Sequence, residues 1–447
     1  MPEMEGSGTT LRARAAARNP LPEGTAAVGV GLVVSGITAY GFLAVAKRAL
    51  GDEAYAPLAL LWTLVFLVGP GFFLPVEQEI SRALAARRAT GIGGGPVLKR
   101  AALLAIGLLA LLLAGTAAGA GVLMDKSFDG QVLLVVSLAL AFTGVAAGHV
   151  ARGACSGQGR FKPYAVYLGS DGIVRLLMCL GLAAAGVKTA GPYGLAVGLA
   201  PIIAVVIAMA RERGLVEDGP PAPWREVTGA LIALLIGSIF SFTLVNGGPL
   251  AVDLLGTDIE QADAGRFLNA LLIGRIPLFL FQAVQAALLP RLSALAGGNL
   301  LEEFRVGIRR LLYVTGALGV LAACGSYLIG PFVVQTLFDD EIDHRTLGLL
   351  GLSCAAYMVA LALGQAVIAL SGHRLVAASW AVGVAAFVGV TAVATDDLFL
   401  RVEVGLVAGA SVSAVCMAAA LISRLRAGAQ PDAASVVEAL HDIPLEP

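Results

Sequence analysis

The chain has 447 residues, of which 58% are hydrophobic and only 14% charged, with 30 basic side chains against 31 acidic ones. Soluble domains carry roughly 25% charged and 45–50% apolar residues, so a water-soluble globule is excluded. Abundant apolar residues exclude disorder, 56 glycines without a period of three exclude collagen, and a net charge of −1 gives no global pull toward nucleic acid.

Residues 1–25 form a polar N-terminal segment in which Arg12, Arg14 and Arg18 precede the first apolar stretch. That stretch is longer than the apolar region of a signal peptide and reads as an uncleaved anchor. A bilayer core takes about 20 apolar residues per helix. Windows of that length predict spans over 26–47, 55–80, 98–123, 131–151, 164–187 and 190–210. The longest polar break follows at 211–225, carrying Arg211, Glu212, Arg213, Pro220, Pro221 and Pro223. A second set of spans is predicted over 226–250, 266–289, 309–331, 346–370, 375–395 and 402–423, and the polar tail is expected to be disordered.

The expected fold is an all-α integral membrane protein of twelve transmembrane helices in two six-helix lobes, 26–210 and 226–424, joined by a cytoplasmic linker and followed by a tail at 425–447. An even number of spans per lobe gives both lobes the same orientation, the signature of a parallel repeat. If the N-terminus is cytoplasmic, 21 basic residues fall on the inner side, seven on the outer side (Lys47, Arg48, Lys126, Lys188, Arg266, Arg345, Arg401) and two inside helices. Positive charge accumulates on the cytoplasmic side, so both termini are expected there. The dominance of arginine over lysine, with many alanines and glycines, suggests a high-GC bacterium and hence its cytoplasmic membrane. Three outer loops are acidic, with Asp253, Asp258, Glu260 and Asp263, then Asp339, Asp340, Glu341 and Asp343, then Asp396, Asp397 and Glu403. None has the spacing of a calcium loop, and all are read as solvated.

The second and eighth spans echo each other. Gly69-Pro70-Gly71-Phe72-Phe73 and Arg275-Ile276-Pro277-Leu278-Phe279 each put a proline near mid-span with aromatic residues after it. Proline removes a backbone donor and kinks a helix, and interruptions at matching places in two repeats point to moving parts. Gly69, Pro70, Gly71 and Pro277 are therefore candidate hinges.

A central arginine costs about 2.5–3.5 kcal/mol on insertion scales, so Arg175 and Arg275, one per lobe and both near the midplane, each require a reason. Asp171 lies one turn before Arg175, so these two are either a site or a self-neutralised structural pair. Arg275 has no acid in its own span, and Gln282 shares its face. Its partner is expected to be an acid elsewhere or an anionic ligand. Two converging guanidiniums suit phosphate or pyrophosphate, making Arg275, Arg175, Asp171 and Gln282 the candidate substrate-binding residues. Glu79 has Arg82 within reach on its own helix, whereas Glu77 lacks such a partner and is a candidate coupling site for a proton or ion. Asn246 and Asn269 are expected to bond between helices. The four histidines are scattered, the five cysteines read as small packing residues, and neither zinc, P-loop nor nucleophile-elbow motifs occur. No metal or other cofactor, no enzymatic activity and no nucleic-acid partner is expected.

Three stretches carry a resemblance: Arg48-Ala49-Leu50-Gly51-Asp52-Glu53-Ala54-Tyr55; Gly157-Gln158-Gly159-Arg160-Phe161-Lys162-Pro163-Tyr164 with Asp171-Gly172-Ile173-Val174-Arg175; and Gly265-Arg266-Phe267 through Arg275-Ile276-Pro277 to Leu289-Pro290-Arg291-Leu292. With the six-plus-six plan, over about residues 26–424, the chain resembles the polysaccharide (Wzx-type) flippases of the multidrug/oligosaccharidyl-lipid/polysaccharide exporter superfamily. The resemblance implies alternating access by two lobes that move a polyprenyl-pyrophosphate-linked oligosaccharide to the outer leaflet for surface polysaccharide or cell-wall assembly. It also implies membrane lipids and glycan polymerases or glycosyltransferases as partners. The alternatives are a cation-coupled multidrug exporter of the same superfamily and a transport-inactive scaffold for glycan assembly.

Overall fold

The computed structural model describes residues 25–89, 91–212, 214–224, 228, 231–257, 263–278, 281, 301–370 and 372–426. The N-terminal segment, most of the eighth span beyond 278 and the tail from 427 lie outside the described residues. Helices are the only regular elements among those described. The first lobe contains α1 (Thr25–Leu50), α2 (Asp52–Ala89), α3 (Gly95–Ala118), α4 (Ala120–Lys126), α5 (Val132–Gly157), α6 (Phe161–Ala184) and α7 (Ala190–Met209). The second contains α8 (Leu231–Asn246), α9 (Gly248–Leu255), α10 (Asp263–Gly274), α11 (Leu301–Phe338), α12 (His344–Ala369), α13 (His373–Val393) and α14 (Leu398–Arg426).

Ten of the described helices are long and apolar enough to cross a membrane, and α8 with α9 makes an eleventh as one bent span. The remaining span starts as α10 and continues past a turn at Arg275 through 276–278.

Three boundaries depart from expectation. The seventh span does not run unbroken over 226–250 but bends by 68° between α8 and α9. The sequence Gly247-Gly248-Pro249 explains this, because Pro249 has no N–H and the two glycines tolerate the turn. Gly248 is also required sterically, since a Cβ there would lie 2.6 Å from the Phe267 ring. The third span divides at Gly119, and α2 and α11 extend well past the expected 55–80 and 309–331.

The two lobes repeat one packing plan. In the first, α1 lies on α6, α5 on α2, α3 and α7, and α6 on α7. In the second, the equivalent helices pair likewise, with α8 on α13, α12 on α10, α11 and α14, and α13 on α14. The lobes meet where α2 crosses α8 and α10. At Gly71 the approach is close, for a Cβ there would stand 3.4 Å from the Ile239 Cα of α8. Burial of Phe42, Tyr55, Leu58 and Leu61 with Phe267 and Leu271 makes one apolar core that continues between the lobes.

The segment after α7 is docked rather than loose. The Gly95 N–H donates to the Glu217 carbonyl at 2.8 Å, and the Arg87 guanidinium donates to the carbonyls of Gly93 and Pro220 at 3.0 and 2.9 Å.

Candidate functional site

Arg175 on α6 reaches the middle of α2. Its guanidinium stands 5.2 Å from the Trp62 ring and 5.8 Å from the Phe66 ring, and it pairs with Asp171 one turn earlier. Trp62 and Phe66 are themselves in contact, with centroids 4.4 Å apart and ring planes tilted by 33°. The pairing is incomplete, since the buried Arg175 Nε and Asp171 Oδ1 have no hydrogen-bond partner. Gly172 lets this face of α6 sit against α1, where a Cβ would overlap the Thr38 hydroxyl.

Arg275 occupies the turn that interrupts the eighth span. Its N–H donates to the Leu272 carbonyl at 3.2 Å, and its carbonyl accepts from Leu278 at 2.9 Å, so i,i+3 bonds replace the α-helical ones just before Pro277. The guanidinium Nη1 donates to Asn246 Oδ1 at 2.9 Å, while the buried Nη2 has no partner. The expected partner was an acid or a ligand. The structure instead supplies a neutral carboxamide, and no ion pair to Arg275 occurs among the described residues. Asn246 in turn donates to the Phe66 carbonyl at 3.2 Å. The two arginines, one from each lobe, are thus joined through Phe66 and Asn246. Gln282 lies outside the described residues. Of the candidate hinges, Pro277 sits at a real interruption, whereas α2 stays helical through Gly69, Pro70 and Gly71.

A cavity of about 290 Å³ lies between the lobes, walled by Leu74 and Gln78 of α2 and by Ser241, Tyr357, Gln365 and Trp380 of the second lobe. Tyr357 bonds Ser241 at 2.7 Å and also lines the small pocket around Arg275. Gln78, Ser238, Ser241, Tyr357, Gln365 and His373 supply polar groups, and no acidic side chain among the described residues lines this cavity.

Glu77 corrects a reading from the sequence. Far from lacking a partner, it pairs with Arg152 at 2.7 Å, meets His149 Nδ1 at 2.7 Å and accepts from the Tyr164 hydroxyl at 3.0 Å. The Arg152 guanidinium, which can only donate, lies 2.7 Å from His149 Nδ1 and 3.2 Å from Nε2, so Nδ1 stands beside both members of the Glu77–Arg152 pair. Arg152 also stands 5.6 and 5.5 Å from the Tyr164 and Tyr167 rings. Beside this cluster is a second cavity of about 450 Å³, lined by Glu77, Gln78, Ser81, Arg82 and Tyr164, so Gln78 is shared by both cavities. Glu79 pairs with Arg82 at 2.7 Å on its own helix.

Of the acidic segments read as solvated loops, Asp258 and Glu260 lie outside the described residues, and Asp253, Asp340 and Glu403 are buried. Asp340, 4% exposed, pairs with the buried Lys47 at 2.9 Å and accepts from Asn269 Nδ2 at 2.7 Å, and the Tyr55 hydroxyl donates to Asn269 Oδ1 at 2.8 Å. Lys47 also meets Asp52, and Arg48 meets the Thr336 carbonyl. Asp253 accepts from Ser127 at 2.9 Å. These contacts tie the lobes together at the end holding Lys47, whereas Glu77–Arg152, Glu79–Arg82 and Arg160–Glu212, at the opposite end, each stay within the first lobe. Glu403 is fully buried beside Thr346, and neither carboxylate oxygen makes a well-aligned hydrogen bond. Lys47 and Arg152, counted from sequence as topology signals, are thus also structural charges. The separation in sequence between Glu77 and its partners hid this cluster, although the lone His149 and Arg152 three residues apart were a faint signal.

No family model matches the chain. It is 21% identical over 396 residues to an uncharacterised protein of Mycobacterium tuberculosis, covering 86% of this chain and 88% of that one, with the same figures for a Mycobacterium bovis protein. Among solved structures it is similar to an inward-facing multidrug resistance MATE family transporter of the MOP superfamily, with a TM-score of 0.67 at 13% identity over 90% of this chain and 98% of the other. An outward-facing MATE transporter gives 0.65 at 14% identity, covering 95% and 99%. A MOP superfamily transporter from Pyrococcus furiosus, described as having a binding pocket of reverse polarity, gives 0.67 at 14%, also covering 95% and 99%. The chain has the two-lobed, all-helical fold of these multi-span membrane transporters.

Proposed function

We propose that the protein is an alternating-access transporter of an anionic amphiphile, with a polyprenyl-pyrophosphate-linked oligosaccharide as the substrate class, acting in the cytoplasmic membrane of a bacterium with both termini inside. The observation that carries this reading is Arg275, a buried guanidinium whose Nη2 is unbonded and whose side-chain partner is neutral among the described residues, set at a helix interruption beside an inter-lobe cavity that no described acidic side chain lines. A buried charge without a counter-charge is costly, and an oxyanion supplies the missing acceptors in the planar geometry a guanidinium offers. Arg175, with its aromatic surround and open Nε, is the second anion contact, with Asp171 setting its position. Gln282 is proposed to extend the same polar face, Pro277 and the Gly69–Gly71 segment to absorb the lobe motion, and Glu77 to serve coupling through the cavity it lines. A glycan polymerase or glycosyltransferase is the proposed partner in the membrane.

The experiment is depletion of the protein followed by analysis of membrane lipids. Accumulation of a lipid-linked glycan on the inner leaflet, reversed by wild-type protein but not by Arg275→Ala at equal abundance, supports the reading. Normal surface glycan in cells carrying only Arg275→Ala refutes it. A second reading, export of small amphipathic drugs, draws on the multidrug transporters among the solved relatives and on Glu77 as a buried carboxylate beside a cavity. It predicts drug sensitivity on depletion with no change in lipid-linked glycan.

A further inference from the structure

Pro70 lies inside α2 and has no N–H, so the carbonyl four residues earlier, that of Phe66, loses its helical donor. The other lobe replaces that donor, because Asn246 Nδ2 at the end of α8 donates to the Phe66 carbonyl at 3.2 Å. A reciprocal bond runs the opposite way. The Tyr40 hydroxyl of α1 donates at 2.8 Å to the Leu272 carbonyl of α10, where that helix gives way to the turn at Arg275. Tyr40 and Asn246 belong to the first span of their respective lobes, and Phe66 and Leu272 to the second. Each lobe therefore lends one side chain from its first span to a backbone carbonyl in the second span of the other.

Asn246 bridges the two lobes within this arrangement. Its Nδ2 also donates to Phe242, one turn back on its own helix, at 3.3 Å, nearly the same distance as to Phe66 in the other lobe. Its Oδ1 is held by Arg275 at 2.9 Å, which fixes the carboxamide and polarises its N–H bonds toward stronger donation. Withdrawal of Arg275 frees Oδ1, so that the bond to Phe66 in the other lobe loses the orientation and polarisation that Arg275 imposes, while Phe242 remains an acceptor for Asn246 within its own lobe.

We infer that Tyr40 and Asn246 form a reciprocal clasp on the second-span helices of the two lobes, and that an oxyanion of the phosphate or pyrophosphate class opens it by taking Arg275 from Asn246. The trigger rests on the reading of Arg275 proposed above; the clasp itself does not. The anion's negative oxygens outcompete a neutral amide oxygen for a guanidinium, since charge-assisted bonds are about twice as strong as neutral ones. Asn246 and Tyr40 act as positioning residues, coupling occupancy at Arg275 to separation of the lobes.

The test places spin labels on Ala85→Cys in α2 and Arg374→Cys in α13, both exposed, in full-length protein whose Cys324 and Cys416 are replaced by serine, reconstituted in nanodiscs. Inter-lobe distances are measured by double electron–electron resonance without ligand, with inorganic pyrophosphate and with farnesyl pyrophosphate, and binding is measured by calorimetry. Asn246→Ala and Tyr40→Phe are expected to shift the ligand-free population toward separated lobes by about three- to tenfold each, the scale of one lost buried hydrogen bond. Wild type is expected to shift in the same direction on adding pyrophosphate, while Asn246→Ala binds it without further shift. Asn246→Asp keeps a partner for Arg275 and guards against a folding defect; it too should lose the shift. Wild-type ligand-free distances in both Asn246→Ala and Tyr40→Phe overturn the clasp. Binding without a shift in wild type overturns the trigger. Absence of binding by either pyrophosphate overturns the anion reading of Arg275 and the trigger with it, leaving the clasp to be judged on the ligand-free distances. A response to the farnesyl compound alone identifies a lipid-linked rather than a free anion as the opener.

Discussion

Replacing Arg152 by alanine leaves the Glu77 carboxylate buried without its counter-charge, and this makes the cluster a sharp test of how the first lobe is held. Glu77 and Arg152 side chains are only 9% and 16% exposed and 2.7 Å apart, so little solvent screens the pair. Breaking such a pair by removing one partner costs about 3–5 kcal/mol, to which loss of the guanidinium over Tyr164 and Tyr167 adds about 0.5–1 kcal/mol per ring. Glu77→Gln leaves Arg152 without its counter-charge in turn and should cost about 3 kcal/mol, the low end of that range, because its amide oxygen still accepts from Tyr164 while Arg152 keeps both rings. The double variant Glu77→Gln with Arg152→Ala should therefore be more stable than Arg152→Ala alone. Unfolding in detergent micelles, followed by circular dichroism, measures all four proteins. Arg152→Ala within about 1 kcal/mol of wild type, or a double variant no better than it, would refute the reasoning.

Gly172→Ala should destabilise by about 1–3 kcal/mol through overpacking against the Thr38 hydroxyl, with Thr38→Ala recovering part of the loss in the same unfolding assay. Glu403→Met should raise stability by about 1–3 kcal/mol, since it replaces a buried carboxyl group whose oxygens make no well-aligned hydrogen bond by an apolar side chain of similar length; a loss of stability would show that the carboxyl is bonded. Asp397, just before α14, accepts from the Leu400 N–H at 3.0 Å and faces Arg345 at 3.3 Å, and these together hold its carboxyl below the usual carboxylate range. Its contribution is full above the unfolded-state pKa and is lost as pH falls through the lower folded-state value. Asp397→Asn should therefore lower stability at neutral pH, leave it little changed at pH below the folded-state value, and so flatten the acid limb of the stability–pH curve.

The spans were legible because hydropathy is a local property, and the two-lobe plan because the polar break at 211–225 is local too. The bend at Gly247 was written in Gly247-Gly248-Pro249, but an apolar window averages over such a signal. What the sequence hid are pairings across distance. Glu77 finds His149 and Tyr164 from α5 and α6, and Lys47 finds Asp340 from the other lobe. A residue count by loop treats Asp340, Asp253 and Glu403 as solvated, whereas closure of the helix ends buries them. Arg175 and Asp171 share one helix and could be paired by spacing alone. That Arg175 and Arg275 converge on Phe66 and Asn246 required the crossing of α2 and α8, which no local pattern encodes.

The central claim is that Arg275 receives an anionic ligand. Isothermal titration of the purified protein with a polyprenyl pyrophosphate, alongside a cationic amphiphile of matched chain length, tests it directly. The account predicts that the pyrophosphate binds and that Arg275→Ala weakens it by about 2–5 kcal/mol, the scale of a lost charge-assisted contact in a buried site, with the cationic amphiphile unaffected. Tighter binding of the cation, unchanged or improved in Arg275→Ala, would contradict it.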